Sequence, residues 1–225
     1  EETAKGAYGI PVVKDAVVAT INENNPHLAF ILKKGLTKNN FRDLWMLEKV
    51  KSWNEILNIK GSDRVSLYTR SDSCGAGETW AKYLGGKQED LKGIGVYGDP
   101  GLVEAIKKDP LGVGYNNINY AYDPNSKKPV SGIRVCPIDI NENGALDKEE
   151  NFYETRDELI NAIIKDKYPT PPAKILYFVT KGVPQNGIIK NFIQWSLTDG
   201  QKFVNECGYI NIDQNIIKLE LEKLK

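Results

Sequence analysis

The sequence predicts an α/β fold, and three observations carry that prediction. Short β-branched apolar runs recur along the chain, segments with helical spacing of apolar residues lie between them, and the boundaries carry cap or turn residues. With 225 residues the chain has room for one large domain or two small lobes. Thirty basic residues balance thirty acidic ones, so no global field points to nucleic acid or to an anionic membrane surface. An anionic ligand would have to be held by local geometry. No apolar run approaches the ~20 residues that span a bilayer. The opening Glu1-Glu2-Thr3 has no basic-then-apolar start, as expected of a processed or trimmed product or of a cytosolic protein.

Pro11 to Ile21 is a β-branched run ended by the turn-forming Asn22 to Pro26, and predicts a buried strand. Thr37 is placed to cap a helix carrying Phe41, Leu44 and Trp45, and Trp53 to Ile56 forms a short helix or turn. Val65 to Thr69 predicts a strand, Arg70 to Thr79 a polar glycine loop, and Trp80 to Leu84 a helix. Asp99 reads as an N-cap with Pro100 at the first helical position. Leu111 to Tyr115 predicts a strand with close backbone approach at its glycines. After a loop over 116–129 come a strand over Ile133 to Ile138, an acidic loop over Asp139 to Glu150, and a helix over Thr155 to Asp166. Ile175 to Thr180 predicts another buried strand. Helices follow over Asn186 to Leu197 and Asp199 to Cys207, and a charged amphipathic tail begins at Asp213, with Ile216, Leu219 and Leu224 near one face. The prolines at 169–172 mark a chain crossing between lobes.

Two segments carry chemistry. Strand, glycine loop and helix in succession form an anion-binding device, because a helix N-terminus presents unpaired N–H groups and the positive end of the helix dipole. Arg70 stands just before the loop and can grip an oxyanion through two parallel hydrogen bonds, with Asp72 orienting it. The plainer alternative is a capped turn in which Arg70 and Asp72 pair only with each other. No Gly-Lys-Ser/Thr follows, so the loop is not of the Walker type.

Asp139 to Glu150 matches a twelve-residue calcium loop. Asp139, Asn141, Asn143 and Asp147 stand at positions 1, 3, 5 and 9, and Gly144 at the glycine position. Ala145 offers its carbonyl at position 7, and Glu150 can bind bidentately at position 12. This predicts a structural Ca²⁺ site rather than a paired sensor module, because a strand and not a helix precedes the loop. An Asx-rich turn without metal is the alternative. Cys74, Cys136 and Cys207 lack metal-ligand spacing and leave the redox state open, and the only histidine, His27, lies in a turn where a solvated surface role is expected.

Several stretches, in order, resemble the phosphate-binding family of ABC importers. They are Val13 to Asn22, Leu36-Thr37 through Trp45 with Trp53 to Ile56, Arg70-Ser71-Asp72-Ser73-Cys74-Gly75-Ala76, Gly112 to Tyr115, Tyr168 through Tyr177, and Phe192 to Leu197 with Gly208-Tyr209-Ile210. The resemblance implies a two-lobe fold of the periplasmic-binding-protein type II kind with the first lobe incomplete. Residues 1–24 and 171–225 would belong to lobe I and 25–170 to lobe II. It implies an extracytoplasmic protein, in the periplasm or at the cell surface, that binds inorganic phosphate or a related oxyanion, without catalysis, and delivers it to the importer's membrane subunits. Arg70, Asp72, Ser73, Cys74, Gly75, Ala76, Gly77 and Thr79 would form the ligand site.

Two departures stand out. The family begins with a further strand–loop–helix segment that supplies about half of the oxyanion contacts, and this chain starts after it. A trimmed product, or a separate chain that supplies the segment, is expected. Cys74 and Ala76 stand where the family has Ser and Thr, which removes two hydroxyl donors and keeps other oxyanions or small organic anions in play. Two other functions remain open: a calcium-stabilised interaction or adhesion module on the same fold, and a thiol enzyme using Cys74 at the helix N-terminus.

Overall fold

The computed structural model describes residues 6–185 and 187–224. The expected helix start at Asn186, the opening Glu1 to Thr3 and the terminal Lys225 lie outside them. In chain order the elements are β1 (Ala7–Asn22), α1 (Leu28–Lys34), α2 (Lys38–Trp45), α3 (Trp53–Leu57), β2 (Ser66–Arg70) and α4 (Gly75–Leu84). Then follow β3 (Ile94–Val96), α5 (Gly98–Lys108), β4 (Gly112–Asn117), α6 (Ile118–Ala121), β5 (Ile133–Val135), α7 (Arg156–Ile164), β6 (Ala173–Lys181), α8 (Gly187–Leu197) and α9 (Gln214–Lys223). The predicted α/β alternation is the observed one. The chain divides into two compact units, one drawn from Glu1–Asp15 and Lys174–Lys225, the other from Ala16–Ala173.

In the larger unit the strand order is β3-β2-β4-β1-β5. β2 runs parallel to β3 and β4, while β1 runs antiparallel to β4, with Ala19 opposite Tyr115, and to β5. Parallel pairing of β2, β3 and β4 brings their C-terminal ends to one edge, where ligands of open α/β sheets bind. Local signals set the surrounding helices. Thr37 caps α2 in a capping box with Asn40, and Thr155 does the same for α7 with Glu158. Behind the sheet edge Phe41, Trp45, Trp80 and Tyr115 are fully buried, and Trp80 stacks on Tyr115 at 5.8 Å. Gly114 lets α5 approach: a Cβ there would lie 2.7 Å from Cδ1 of Ile106.

In the smaller unit β6 pairs with the first part of β1. Ile10, Val12, Ile193, Leu197, Ile212, Ile217 and Leu224 form its core. Of the tail face read from the sequence, Leu224 belongs to this core and Ile216 packs against it, whereas Leu219 is 56% exposed and Ile217 is the buried residue instead. β6 also departs from expectation. It is not buried on both sides, for Tyr177 and Val179 are 53% and 68% exposed. Phe192, Trp195 and Phe203 are half-exposed and stack in sequence, with centroids 6.3 and 6.4 Å apart. The predicted loop over 116–129 contains the short helix α6, whose Ile118 and Ala121 are buried.

Candidate functional site

Arg70 ends β2 and its side chain is only 7% exposed. Nε donates to Oδ1 of Asp72 at 2.8 Å, Nη2 donates to Oδ2 of Asp72, and Nη1 donates to Oδ2 of Asp99. Each carboxylate is itself anchored. Asp72 accepts the Gly98 N–H at 3.1 Å. Asp99 accepts the Asn117 N–H at 3.1 Å and the side-chain amide of Asn116 at 3.3 Å. The ends of three parallel strands therefore converge on one guanidinium. The Asp72 hydrogen bond raises the Arg70 pKa against the opposing effect of burial, and Arg70 holds the Asp72 carboxyl well below the usual carboxylate range. A guanidinium has five N–H groups, so these three bonds leave about two for a ligand. One cation faces two carboxylates, so directed N–H groups rather than net charge must hold an anion here.

The hydroxyl of Tyr115 lies 2.9 Å from that of Thr69 and accepts the Arg70 N–H at 3.1 Å, tying the end of β2 to the aromatic core. The glycine segment is not a loop throughout: α4 already begins at Gly75. Cys74 has extended backbone angles and its Sγ accepts the Gly77 N–H at 3.2 Å, the geometry of an N-cap. Thr79 is buried, and its hydroxyl donates to the Gly75 carbonyl at 2.6 Å, within the helix. Arg70, Asp72, Ser73, Cys74 and Gly75 border an open hollow of about 800 Å³, with Glu78 and Glu89 on its rim. Ala76, Gly77 and Thr79 do not line it.

Sequence reasoning missed three residues. Asp99 was read as a cap, but the N-cap of α5 is Tyr97 and the Asp99 carboxylate serves Arg70. Gln88 bridges the loop, accepting the Cys74 N–H at 3.0 Å on Oε1 and donating to the Asp72 carbonyl at 2.6 Å through Nε2. Tyr115 was noted only as part of a strand. A local reading had no signal for these tertiary partnerships.

The predicted calcium loop is folded around its own side chains. Asp139 accepts the N–H groups of Asn143 and Gly144, and Glu150 accepts those of Ile140 and Asn141 on Oε1. Asn141 and Asn143 donate their side-chain amides to Asp147 at 2.9 and 2.8 Å. Ala145 is exposed at the loop's outer end. With the side chains turned to one another in this way, no group of three or more His, Cys, Asp or Glu among the described residues is gathered as a metal site. Cys74, Cys136 and Cys207 are free thiols, and burial pushes the Cys136 thiol far up. His27 is only 13% exposed and pairs with Asp63 at 2.8 Å, so it is not a solvated surface group.

The PBP superfamily domain matches residues 1–200. The chain belongs to the PBP superfamily. Among curated PBP relatives, the phosphate-binding protein PstS of Staphylococcus haemolyticus is 23% identical over 215 residues, covering 95% of this chain and 61% of its own length. PstS of Methanocaldococcus jannaschii is 25% identical, covering 80% of this chain and 56% of its own. The chain thus spans about three fifths of the length of these relatives. An ABC-type phosphate transport receptor from Vibrio cholerae shares the PBP fold with a TM-score of 0.67 and 13% identity, covering 92% of this chain and 73% of that one. PstS from Borrelia burgdorferi gives 0.60 and 17%, with 95% and 75% covered. The relatives are named as binding proteins, and among the described residues no helix is long and apolar enough to cross a membrane.

Proposed function

We propose that this chain acts outside the cytoplasm as a binding protein that captures phosphate for the membrane subunits of an ABC importer, without catalysis. The observation that carries the reading is Arg70, fixed by Asp72 and Asp99 beside the N-terminus of α4. A planar fork held in advance loses little entropy when it grips a tetrahedral oxyanion, and the positive end of the α4 dipole lies beside the same hollow. The names of the relatives support phosphate as the ligand. Cys74 serves this reading as the cap of α4, with Sγ turned to Gly77.

The remaining contacts come, in this reading, from a segment outside these 225 residues, in the same polypeptide or on a separate chain. Its support is the length of the relatives together with the half-exposed Tyr177, Val179, Phe192 and Trp195 of the smaller unit. Titration calorimetry of the chain together with that segment, using phosphate, sulfate, molybdate and small carboxylates, tests the proposal. Phosphate is expected to bind, and Arg70→Ala to abolish the heat. Binding that is indifferent to Arg70→Ala, or no heat from any oxyanion, would discard it.

A further inference from the structure

We propose that Asp139–Glu150 is a calcium site that fastens the connection between α1 and α2 within the larger unit. Glu150 carries the argument. It is only 7% exposed, its Oε1 faces the loop by accepting the N–H groups of Ile140 and Asn141, and its Oε2 is buried with no hydrogen-bond partner. A buried carboxylate oxygen left unpaired is costly unless a cation or proton meets it. Asp139, 1% exposed, adds a second buried carboxylate in the same loop. Among the described residues no Lys or Arg forms an ion pair with Asp139, Asp147 or Glu150. Lys34 passes Gly144 with its carbon tail and places its ammonium over the Phe30 ring, and Lys38 places its own over the Tyr83 ring.

The other donors are of the right kind. Asp139, Asn141, Asn143, the Ala145 carbonyl, Asp147 and Glu150 supply about six oxygens at the spacings of a twelve-residue calcium loop, and calcium takes six to eight. Gly144 has φ +86°, the left-handed turn required at position 6. Asn141 and Asn143 now turn their amide nitrogens toward Asp147, and an ion would take over the Asp147 oxygen that they share. Oxygen donors wrapped around by a loop suit Ca²⁺ better than Mg²⁺, which demands a tighter octahedron and keeps its waters.

The site is fastened to its surroundings. The Asp139 N–H donates to the Leu36 carbonyl at 3.1 Å and the Leu146 N–H to that of Lys33 at 3.3 Å, while the Asn39 amide reaches the Glu142 carboxylate at 3.1 Å. Gly35 permits the contact, since a Cβ there would sit 2.9 Å from the Asp139 nitrogen. Metal at Asp139 would therefore hold residues 33–39 in place.

Equilibrium dialysis of the chain against ⁴⁵Ca²⁺, with melting curves in Ca²⁺, Mg²⁺ and chelator, tests this. One Ca²⁺ per chain at millimolar or lower free concentration is expected, with a higher Tm in Ca²⁺ than in Mg²⁺ and slower amide exchange over 33–39. Glu150→Gln should remove the bound metal and the Tm difference. Asp147→Asn, at a half-exposed position, should weaken binding by about tenfold or more and keeps the test open if Glu150→Gln fails to fold. No bound calcium in the unmutated chain, or unchanged affinity in either folded variant, would overturn the proposal. None of these readouts depends on phosphate.

Discussion

Nη1 of Arg70 donates to the Asp99 carboxylate, which is buried and also accepts the backbone N–H of Asn117. Asp99 thus joins the end of β4 to the side chain that ends β2. Removing one partner of a buried ion pair leaves the other charge uncompensated. Asp99→Ala is expected to destabilise the chain by about 3–5 kcal/mol, read from urea melts. A change within ~0.5 kcal/mol, as for an ordinary surface position, would mean that the two groups are hydrated rather than paired.

The Arg70–Asp72 pair predicts a particular acid limb. Asp72 has its pKa lowered in the folded state from the ordinary 3.8, chiefly by the Arg70 hydrogen bond. Its contribution is present in full above the unfolded-state value and is lost as the pH falls toward the folded-state value. Stability should therefore decline below about pH 4, and Asp72→Asn should flatten that part of the curve. Urea midpoints at a series of acidic pH values give the comparison; parallel curves for the two proteins would remove Asp72 from the account.

Tyr115→Phe deletes the hydroxyl that meets Thr69 and the Arg70 N–H while leaving the ring stacked on Trp80. Two polar groups lose their partner, at a cost of about 1–3 kcal/mol. Anion affinity should fall as well, because the end of β2 is no longer pinned. Calorimetry and denaturation together distinguish this from loss of ring packing, which the variant leaves intact.

Val179→Ser tests the half-covered strand β6. Its side chain is 68% exposed, so the substitution should change the stability of this chain by no more than ~0.5 kcal/mol. With the proposed covering segment present, the same substitution should become destabilising. Equal effects in both settings would show that nothing packs on that residue.

How far the fold was legible depended on how local its causes are. Thr37 and Thr155 announced their helices because a cap and its reciprocal partner lie three residues apart. The start of α4 was placed too late, because Gly75 and Gly77 signal loop by propensity, whereas Cys74 caps a helix through them. β6 looked buried because an unbroken apolar run carries no alternation that would reveal its outward side. At the site, Arg70 and Asp72 were legible as neighbours two residues apart. Asp99 and Gln88 were not, since only the parallel strand order brings the one to Arg70, and a turn after α4 brings the other to Cys74.

Under the proposed function, Gln88 bears on the kinetics of capture. With one amide it clasps the backbone on either side of Ser73, so the cradle has its shape before any solute arrives. Little freedom is then left to freeze at that wall, and encounter should be as fast as diffusion and any closing motion allow. Cutting the clasp with Gln88→Ala would slow association by making the wall assemble itself at each visit, a signature that stopped-flow traces separate from faster escape.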